Sequence, residues 1–242
     1  MRLSKEALPD LALLALALAG GAVDAASFLG LGRVFTANMT GNTILLSIAI
    51  ARGLGMRALH SATALVGFSV GVATGAGLIV TGRDSWLQRV RHALALELTA
   101  LVALIVLWGT QGVTPIRYEL IVISAVAMGA QSAIVRASDV RGVNTTYVTG
   151  TFVNAVALAV QRLRGIHQQR GGPVLPGLAW ITYGAGALAG AVIVSQWQEA
   201  VLSIPIAIVL AILVADAVNA GEFPYRRPGS KPRAPRLEQQ RR

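Results

Sequence analysis

The sequence contains no cysteine, so disulfides, thiolate metal sites and redox motifs are excluded. Charged residues are scarce: they make up 13% of the chain, whereas a soluble domain carries about 25%. Aromatic residues reach only 5%. Hydrophobic residues make up 54%, and they lie in blocks long enough to cross a bilayer core of about 30 Å. These features indicate a polytopic integral membrane protein.

Acidic residues are few, with 11 against 21 basic residues and a formal net charge of +10. Seven of the 21 basic residues lie in the tail after Phe223, and most of the others lie in short loops. This is the positive-inside pattern of membrane proteins, in which basic residues concentrate on the cytoplasmic side. We expect the tail, residues 220–242, to be disordered, cytoplasmic and close to anionic lipid. No nucleic-acid partner is expected, because aromatic residues do not interleave with the charges.

Motifs for chemistry are also lacking. The three histidines, His60, His92 and His167, fall in predicted loops without the spacing of metal ligands, and we expect them to be solvated. No nucleophile–base pair and no phosphate-binding loop is found, so neither an enzyme nor a cofactor is predicted.

Hydropathy predicts an all-α membrane helix bundle with eight apolar segments. The first resembles a signal peptide with a small-residue cleavage site, but Asp24 and the continuing apolar run favour a transmembrane helix. Two of the segments are short, which leaves six full spans. The segments lie at about 10–31, 39–51, 59–82, 93–111, 119–136, 147–161, 177–197 and 201–219.

Landmarks in the first half of the chain recur in the same order in the second. Gly21-Ala22-Val23-Asp24 aligns with Gly129-Ala130-Gln131-Ser132, and Thr40-Gly41 then aligns with Thr149-Gly150. Gly71 and Gly75 align with Gly186 and Gly190 and predict smooth helix faces for close packing, possible sites of homodimer contact. Chance similarity among glycine- and alanine-rich helices is the alternative. We predict a cytoplasmic N-terminus at 1–9 and two repeats at 10–112 and 117–219.

The topology depends on the two short segments. If they cross the membrane there are eight spans; if they are re-entrant there are six. The six-span arrangement fits the distribution of Lys and Arg slightly better, and both arrangements place the tail in the cytoplasm. Three spans per half would give halves of opposite orientation, and inverted repeats with interrupted helices recur among transporters.

A polar stretch precedes each short segment. Thr-Gly ahead of an apolar helix suits a capped helix start, and two such starts would present N–H groups and positive dipole ends to a small polar or anionic solute. Packing without any ligand is the alternative, since Ser, Thr and Asn also hold membrane helices together. The predicted substrate-binding residues are Asp24, Thr36, Asn38, Thr40, Gly41, Asn42, Gln131, Thr145, Thr146, Thr149, Gly150 and Thr151.

Two ionisable residues lie deep in predicted spans. Such residues usually face the protein interior and mark a pathway or a proton site, so we predict Asp24 and Glu97 as residues that bind a coupling ion. A buried structural hydrogen bond is the alternative for each.

The paired motifs resemble those of the YoaK-like bacterial membrane proteins, a family named as a domain of unknown function. Ser132 stands where Asn is expected in many members, and the resemblance covers roughly residues 10–218. It implies a bacterial inner-membrane protein with about six spans, and it implies no substrate. The motifs are Gly21-Ala22-Val23-Asp24-Ala25, Phe35-Thr36-Ala37-Asn38-Met39-Thr40-Gly41-Asn42, Met128-Gly129-Ala130-Gln131 and Thr145-Thr146-Tyr147-Val148-Thr149-Gly150-Thr151.

Three functions make different predictions for these residues. A secondary transporter for a small solute predicts polar stretches that reach water. A membrane scaffold or interaction protein predicts that these stretches are dry. A membrane enzyme would need Asp24 and Glu97 brought together as a catalytic pair. We favour the transporter, with the scaffold as the alternative.

Overall fold

In the computed structural model, which describes residues 7–80, 86–138, 148–165 and 174–220, all regular structure is helical. The predicted all-α fold is confirmed, and each predicted segment corresponds to a helix whose ends differ by four residues or fewer, except that α4 begins seven residues earlier than predicted. A single 3-10 turn, Glu199–Leu202, leads into the last helix. The helices are α1 (Ala7–Gly30), α2 (Met39–Ala51), α3 (Gly55–Leu78), α4 (Trp86–Gln111), α5 (Arg117–Arg136), α6 (Val148–Leu163), α7 (Val174–Val194) and α8 (Ser203–Ala220).

Six of the helices in the described ranges, α1, α3, α4, α5, α7 and α8, are long and apolar enough to cross a membrane. α2 has 13 residues and α6 has 16. Both are shorter than the roughly 20 residues that a full crossing needs. The predicted division into six spans and two short helices is confirmed.

α2 does not carry the chain across the bundle. A side chain at Gly32, just after α1, would meet the ring of His60, near the start of α3. α1 therefore ends and α3 begins at the same end of the bundle. The start of α2 lies deeper in the bundle than the end of α1. The backbone just before α2 bonds to Asp24, and Asp24 lies roughly 9 Å before the end of α1 at 1.5 Å per residue. α2 therefore returns the chain to the end of the bundle at which α1 ends, which is the path expected of a re-entrant helix.

The glycine face of α7 packs closely along α1. A Cβ atom at Gly186 would overlap the backbone of Leu18, and one at Gly190 would overlap the backbone of Ala22. The later glycine of α7 meets the later residue of α1, so α1 and α7 run in the same direction. Close backbone approach of this kind is what small residues permit between membrane helices.

The glycine face of α3 packs along α5 in the same manner. A Cβ atom at Gly71 would overlap the backbone of Val126, and one at Gly75 would lie against Ala130. The first helix of each half therefore packs on the third helix of the other half. Both glycine faces lie within the bundle, so a homodimer through them, which stays a prediction, would have to use surfaces already covered.

α1 and α5 run in opposite directions. Gln131, toward the end of α5, donates to the Leu16 carbonyl in the first part of α1 at 2.9 Å. Ser124, earlier in α5, bonds to Thr36, which in turn bonds to Ser27 near the end of α1. Opposite directions of equivalent helices are what an inverted repeat requires. The inverted repeat stays a prediction, and these contacts support it.

Candidate functional site around Asp24

The Asp24 carboxylate lies at the centre of the chain reversal between α1 and α2. It is buried, with 2% of the residue exposed. Its Oδ1 atom accepts hydrogen bonds from the backbone N–H groups of Thr36 at 2.9 Å, Ala37 at 2.7 Å and Asn38 at 3.4 Å. Three successive N–H groups pointing at one oxygen form an anion-binding nest. The protein's own carboxylate occupies this nest.

The second oxygen of Asp24 connects the two halves of the chain. The Tyr183 hydroxyl, on α7, donates to Asp24 Oδ2 at 2.5 Å. Sequence reasoning missed Tyr183, although one signal was present. Tyr183 stands in a largely apolar segment, and a buried tyrosine hydroxyl usually requires a partner.

A chain of hydroxyl groups continues from this reversal into α5. Ser124 Oγ donates to Thr36 Oγ1 at 2.9 Å, and Thr36 Oγ1 lies 2.8 Å from Ser27 Oγ. Ser27 Oγ then donates to the Val23 carbonyl at 2.8 Å. All three hydroxyl-bearing residues are buried. Thr36, a predicted site residue, is therefore bonded at both backbone and side chain, and the sequence did not indicate Ser27 or Ser124.

Asn42 closes the reversal from the other side. Its Oδ1 accepts from the Phe35 N–H at 3.0 Å, and its Nδ2 donates to the Phe35 carbonyl at 2.5 Å. Asn38 is the N-cap of α2 and accepts from the Gly41 N–H at 3.1 Å. A side chain at Gly41 would meet the Phe35 ring. Thr40 is exposed.

The stretch in the second half is described only in part. Thr145 and Thr146 lie outside the described residues. Thr149 is exposed, Gly150 is half-buried and Thr151 is buried, all in the first turn of α6. α6 packs on α7, whereas α2 packs on α3. The two short helices therefore pack against different helices.

Two further predicted residues are fully buried. Gln131 Nε2 bonds to the Leu16 carbonyl, but its Oε1 has no hydrogen-bond partner. Glu97, on the buried face of α4, has no partner for either carboxyl oxygen among the described residues. Asp24 thus accepts four hydrogen bonds, whereas Glu97 accepts none from the described residues. The structure does not join the two as a catalytic pair.

The histidines do not all lie where the sequence predicted. His60 lies within α3 and is buried, so its placement in a solvated loop was wrong. His92 also lies within a helix, α4, but is exposed. His167 lies outside the described residues. The described part of the chain contains no group of three metal-ligating side chains.

Comparison with known proteins identifies relatives over most of the chain. Residues 12–215 match the family described as "Protein of unknown function (DUF1275)". The UPF0700 transmembrane protein YoaK of Bacillus subtilis (strain 168) is 32% identical over 203 residues, which cover 82% of this chain and 90% of that protein. No solved structure gives a significant match.

Proposed function

The chain belongs to the DUF1275 family, and on that premise we propose that this multi-pass membrane protein is a secondary transporter or permease-like protein for a small polar or anionic solute. The proposal includes a bacterial inner-membrane location with the basic tail in the cytoplasm, as the charge distribution favours. It includes membrane lipid as the surrounding partner. It includes neither a catalytic reaction nor a nucleic-acid partner.

The observation that carries this proposal is the interrupted segment before α2. Non-helical backbone from Leu31 to Asn38 returns to the level of Asp24, inside a span. Such backbone is tolerated at membrane depth where protein surrounds it or where it lines an aqueous cavity. Interrupted helices in inverted halves are a recurring design of secondary transporters, in which helix starts face the substrate.

Asp24 gives this design a means of coupling. Its carboxylate fills a nest of N–H groups that would otherwise suit the carboxylate or oxyanion of a solute. In the proposed cycle, protonation of Asp24 weakens its hold on Thr36 and Ala37, and the released N–H groups donate to the solute anion. Solute and proton are then bound together, because the proton binds to the Asp24 carboxyl group and the solute anion takes the place that this group leaves in the nest.

Glu97 is proposed as a second ion-binding residue. A buried carboxyl group without partners lowers stability, so a purely structural account gives it no reason to be there. Ionisable residues inside spans commonly mark proton or ion pathways. The proposal assigns Glu97 that role and predicts that its removal will not harm the fold.

Replacing Glu97 with leucine is expected to raise the free energy of unfolding by about 1–3 kcal/mol, because a buried polar group without partners is replaced by an apolar group of similar size. SDS titration of the purified protein in detergent measures the change. Leu94→Ala, which empties space on the same face of α4, should instead lower it by about 2–5 kcal/mol. A loss of stability in Glu97→Leu would show that the carboxyl group has a structural role.

Cysteine labelling tests whether water reaches the two polar stretches, and the absence of native cysteine makes the test clean. Thr40→Cys and Thr149→Cys place a thiol at the exposed position of each stretch. Val66→Cys, on the exposed apolar face of α3, is the lipid-facing control. We expect a water-soluble maleimide to label both threonine positions in membrane vesicles and to leave Val66→Cys unlabelled.

Two results would reject the aqueous site. One is labelling at neither stretch in folded protein, with full labelling after SDS unfolding. The other is equal labelling of all three positions, since it would reflect general exposure rather than a cavity. Asn42 and Thr151 are unsuitable for the test because both are buried.

A non-transporting scaffold or interaction protein is the second candidate. The observation that favours it is the internal bonding of the first stretch: Thr36, Asn38 and Asn42 each bond to other residues of the chain through their side chains. A scaffold would leave Thr40 and Thr149 unreactive to the maleimide. The labelling experiment therefore distinguishes the two candidates.

A further inference from the structure

The turn after α1 is surrounded by basic and aromatic side chains from three other helices. Gly32 has a φ of +101° and Arg33 a φ of 60°, both in the left-handed region that favours glycine. Gly32 lies against the ring of His60 on α3 and the side-chain stem of Arg117 on α5. A side chain at Gly32 would meet the imidazole, so the close approach also requires glycine.

The polar atoms around this turn are buried without partners. His60 is 5% exposed; its Nδ1 atom lies against the Gly32 backbone, and its Nε2 atom makes no hydrogen bond. The Nε atom of Arg117 is likewise buried and unbonded. The Nε1 atom of Trp108 is also buried and unbonded. The Trp108 ring packs on Gly30 at the same turn. Buried polar groups are normally bonded to protein, water or an ion, so the unbonded atoms of His60 and Arg117, both beside Gly32, indicate a missing partner.

The chemistry of these atoms specifies that partner. Arginine and tryptophan side chains can only donate hydrogen bonds, and histidine presents an N–H from one ring nitrogen or both. The complementary ligand is therefore an acceptor, and the fixed charge of Arg117 favours a negative one. A metal cation is excluded as the partner of Arg117 and Trp108, because neither side chain offers a lone pair.

No ion pair joins Arg117 to an acidic residue in the described ranges, although the Glu199 side chain lies beside Gly109, the residue after Trp108. Glu119 is the nearest acidic residue along α5, but it is exposed, and no ion pair joins it to Arg117 in the described part of the chain. α5 begins at Arg117, and its N-cap, Ile116, provides no side-chain hydrogen bond. The start of a helix adds partial positive charge. Tyr118 packs on His60 with ring centroids 5.2 Å apart and directs its hydroxyl only to the weakly accepting Met56 sulfur.

We propose that His60 and Arg117 form a binding site for a small oxyanion, either a carboxylate or an inorganic oxyanion, at the end of the bundle where α1 ends and α3 and α5 begin. The site is separate from the nest at Asp24, which lies deeper in α1. It does not depend on transport, because a scaffold could bind the same ligand. A negative labelling result at Thr40 and Thr149 would therefore leave it standing.

The test is an anion titration of the full chain, purified in non-ionic detergent and chloride buffer. Sodium formate and sodium phosphate are added separately, with sodium chloride at matched ionic strength as the reference, and tryptophan fluorescence is recorded. We expect a saturable change with at least one probe, and we expect it to be largely lost in Trp108→Phe, which identifies the reporting side chain. A response to formate alone indicates an organic acid as the ligand, and a response to phosphate alone indicates an inorganic oxyanion.

Variants at the two ends of α5 test the assignment of residues. Arg117→Gln should weaken the apparent affinity at least tenfold, and Arg117→Lys should restore part of it by keeping the charge. Arg136→Gln, the matched control at the exposed last residue of the same helix, should bind as the original chain does. The proposal is overturned if the original chain shows no saturable response beyond chloride, a measurement that needs no variant to fold. It is also overturned if Arg117→Gln binds as tightly as Arg136→Gln.

Discussion

Replacing Asp24 with alanine is expected to lower the free energy of unfolding by about 3 kcal/mol or more. The change leaves three backbone N–H groups and the Tyr183 hydroxyl without their acceptor, at about 1–3 kcal/mol for each buried donor that water cannot reach. Part of this loss is recovered, because burying a carboxylate itself costs several kcal/mol. The loss should still exceed the gain, since four donors converge on one side chain. SDS titration in detergent measures the difference.

Two companion variants separate the roles of the carboxylate. Asp10→Ala, on the same helix but without a hydrogen bond in the described residues, should change stability by less than about 0.5 kcal/mol. Tyr183→Phe removes a single bond and should cost about 1–2 kcal/mol. In a double-mutant cycle the Tyr183→Phe effect should largely vanish once Asp24 is alanine. If Asp24→Ala matched Asp10→Ala, the nest would not contribute to the stability of the chain reversal.

The same contacts explain what could be predicted from the sequence. Apolar length and glycine spacing are properties of single segments, so eight helices and two close-packing faces were predictable from them. The depth of Asp24 in its span likewise indicated that its carboxyl group is buried. The resemblance to the family was carried by the same motifs, and the comparison with known proteins confirmed it.

Partners distant in the sequence could not be predicted in this way. The N–H groups just before α2 are bonded to Asp24, and no local pattern shows which acceptor such groups will meet. Tyr183 reaches Asp24 from the other half of the chain, and Ser124 reaches Thr36 from α5. His60 looked like a loop residue because polar residues surround the start of its helix, whereas its burial depends on the turn at Gly32.

The packing of the glycine faces depends on glycine having a hydrogen atom where other residues have a Cβ atom. At Gly186 the Leu18 carbonyl occupies the place of a Cβ atom, and at Gly71 the Val126 carbonyl does. In each case the obstructing atoms are backbone, so a change of rotamer cannot relieve the clash. Only separation of the two helices can do so, and it would weaken the contacts along the rest of the pair.

Gly186→Ala and Gly71→Ala are therefore each expected to lower the free energy of unfolding by about 3 kcal/mol, at the upper end of the usual cost of overpacking. Gly184→Ala and Gly77→Ala are the matched controls on the same helices, since a Cβ atom at either position meets nothing within 4 Å. They should stabilise the protein by up to about 1 kcal/mol, because alanine favours helix over glycine. SDS titration of the four variants should therefore show a lower free energy of unfolding for Gly186→Ala and Gly71→Ala and a higher one for Gly184→Ala and Gly77→Ala.

Similar losses at Gly186 and Gly71 would follow from the equivalence of the two packing contacts, in which the third helix of each half meets the first helix of the other. Loss at one and tolerance at the other would contradict that equivalence and weaken the case for an inverted repeat. Equal damage from Gly184→Ala and Gly186→Ala would instead contradict the described packing face, because these positions lie on different sides of α7. The sign of the effect, rather than its size, therefore decides whether close approach or helix propensity governs each glycine.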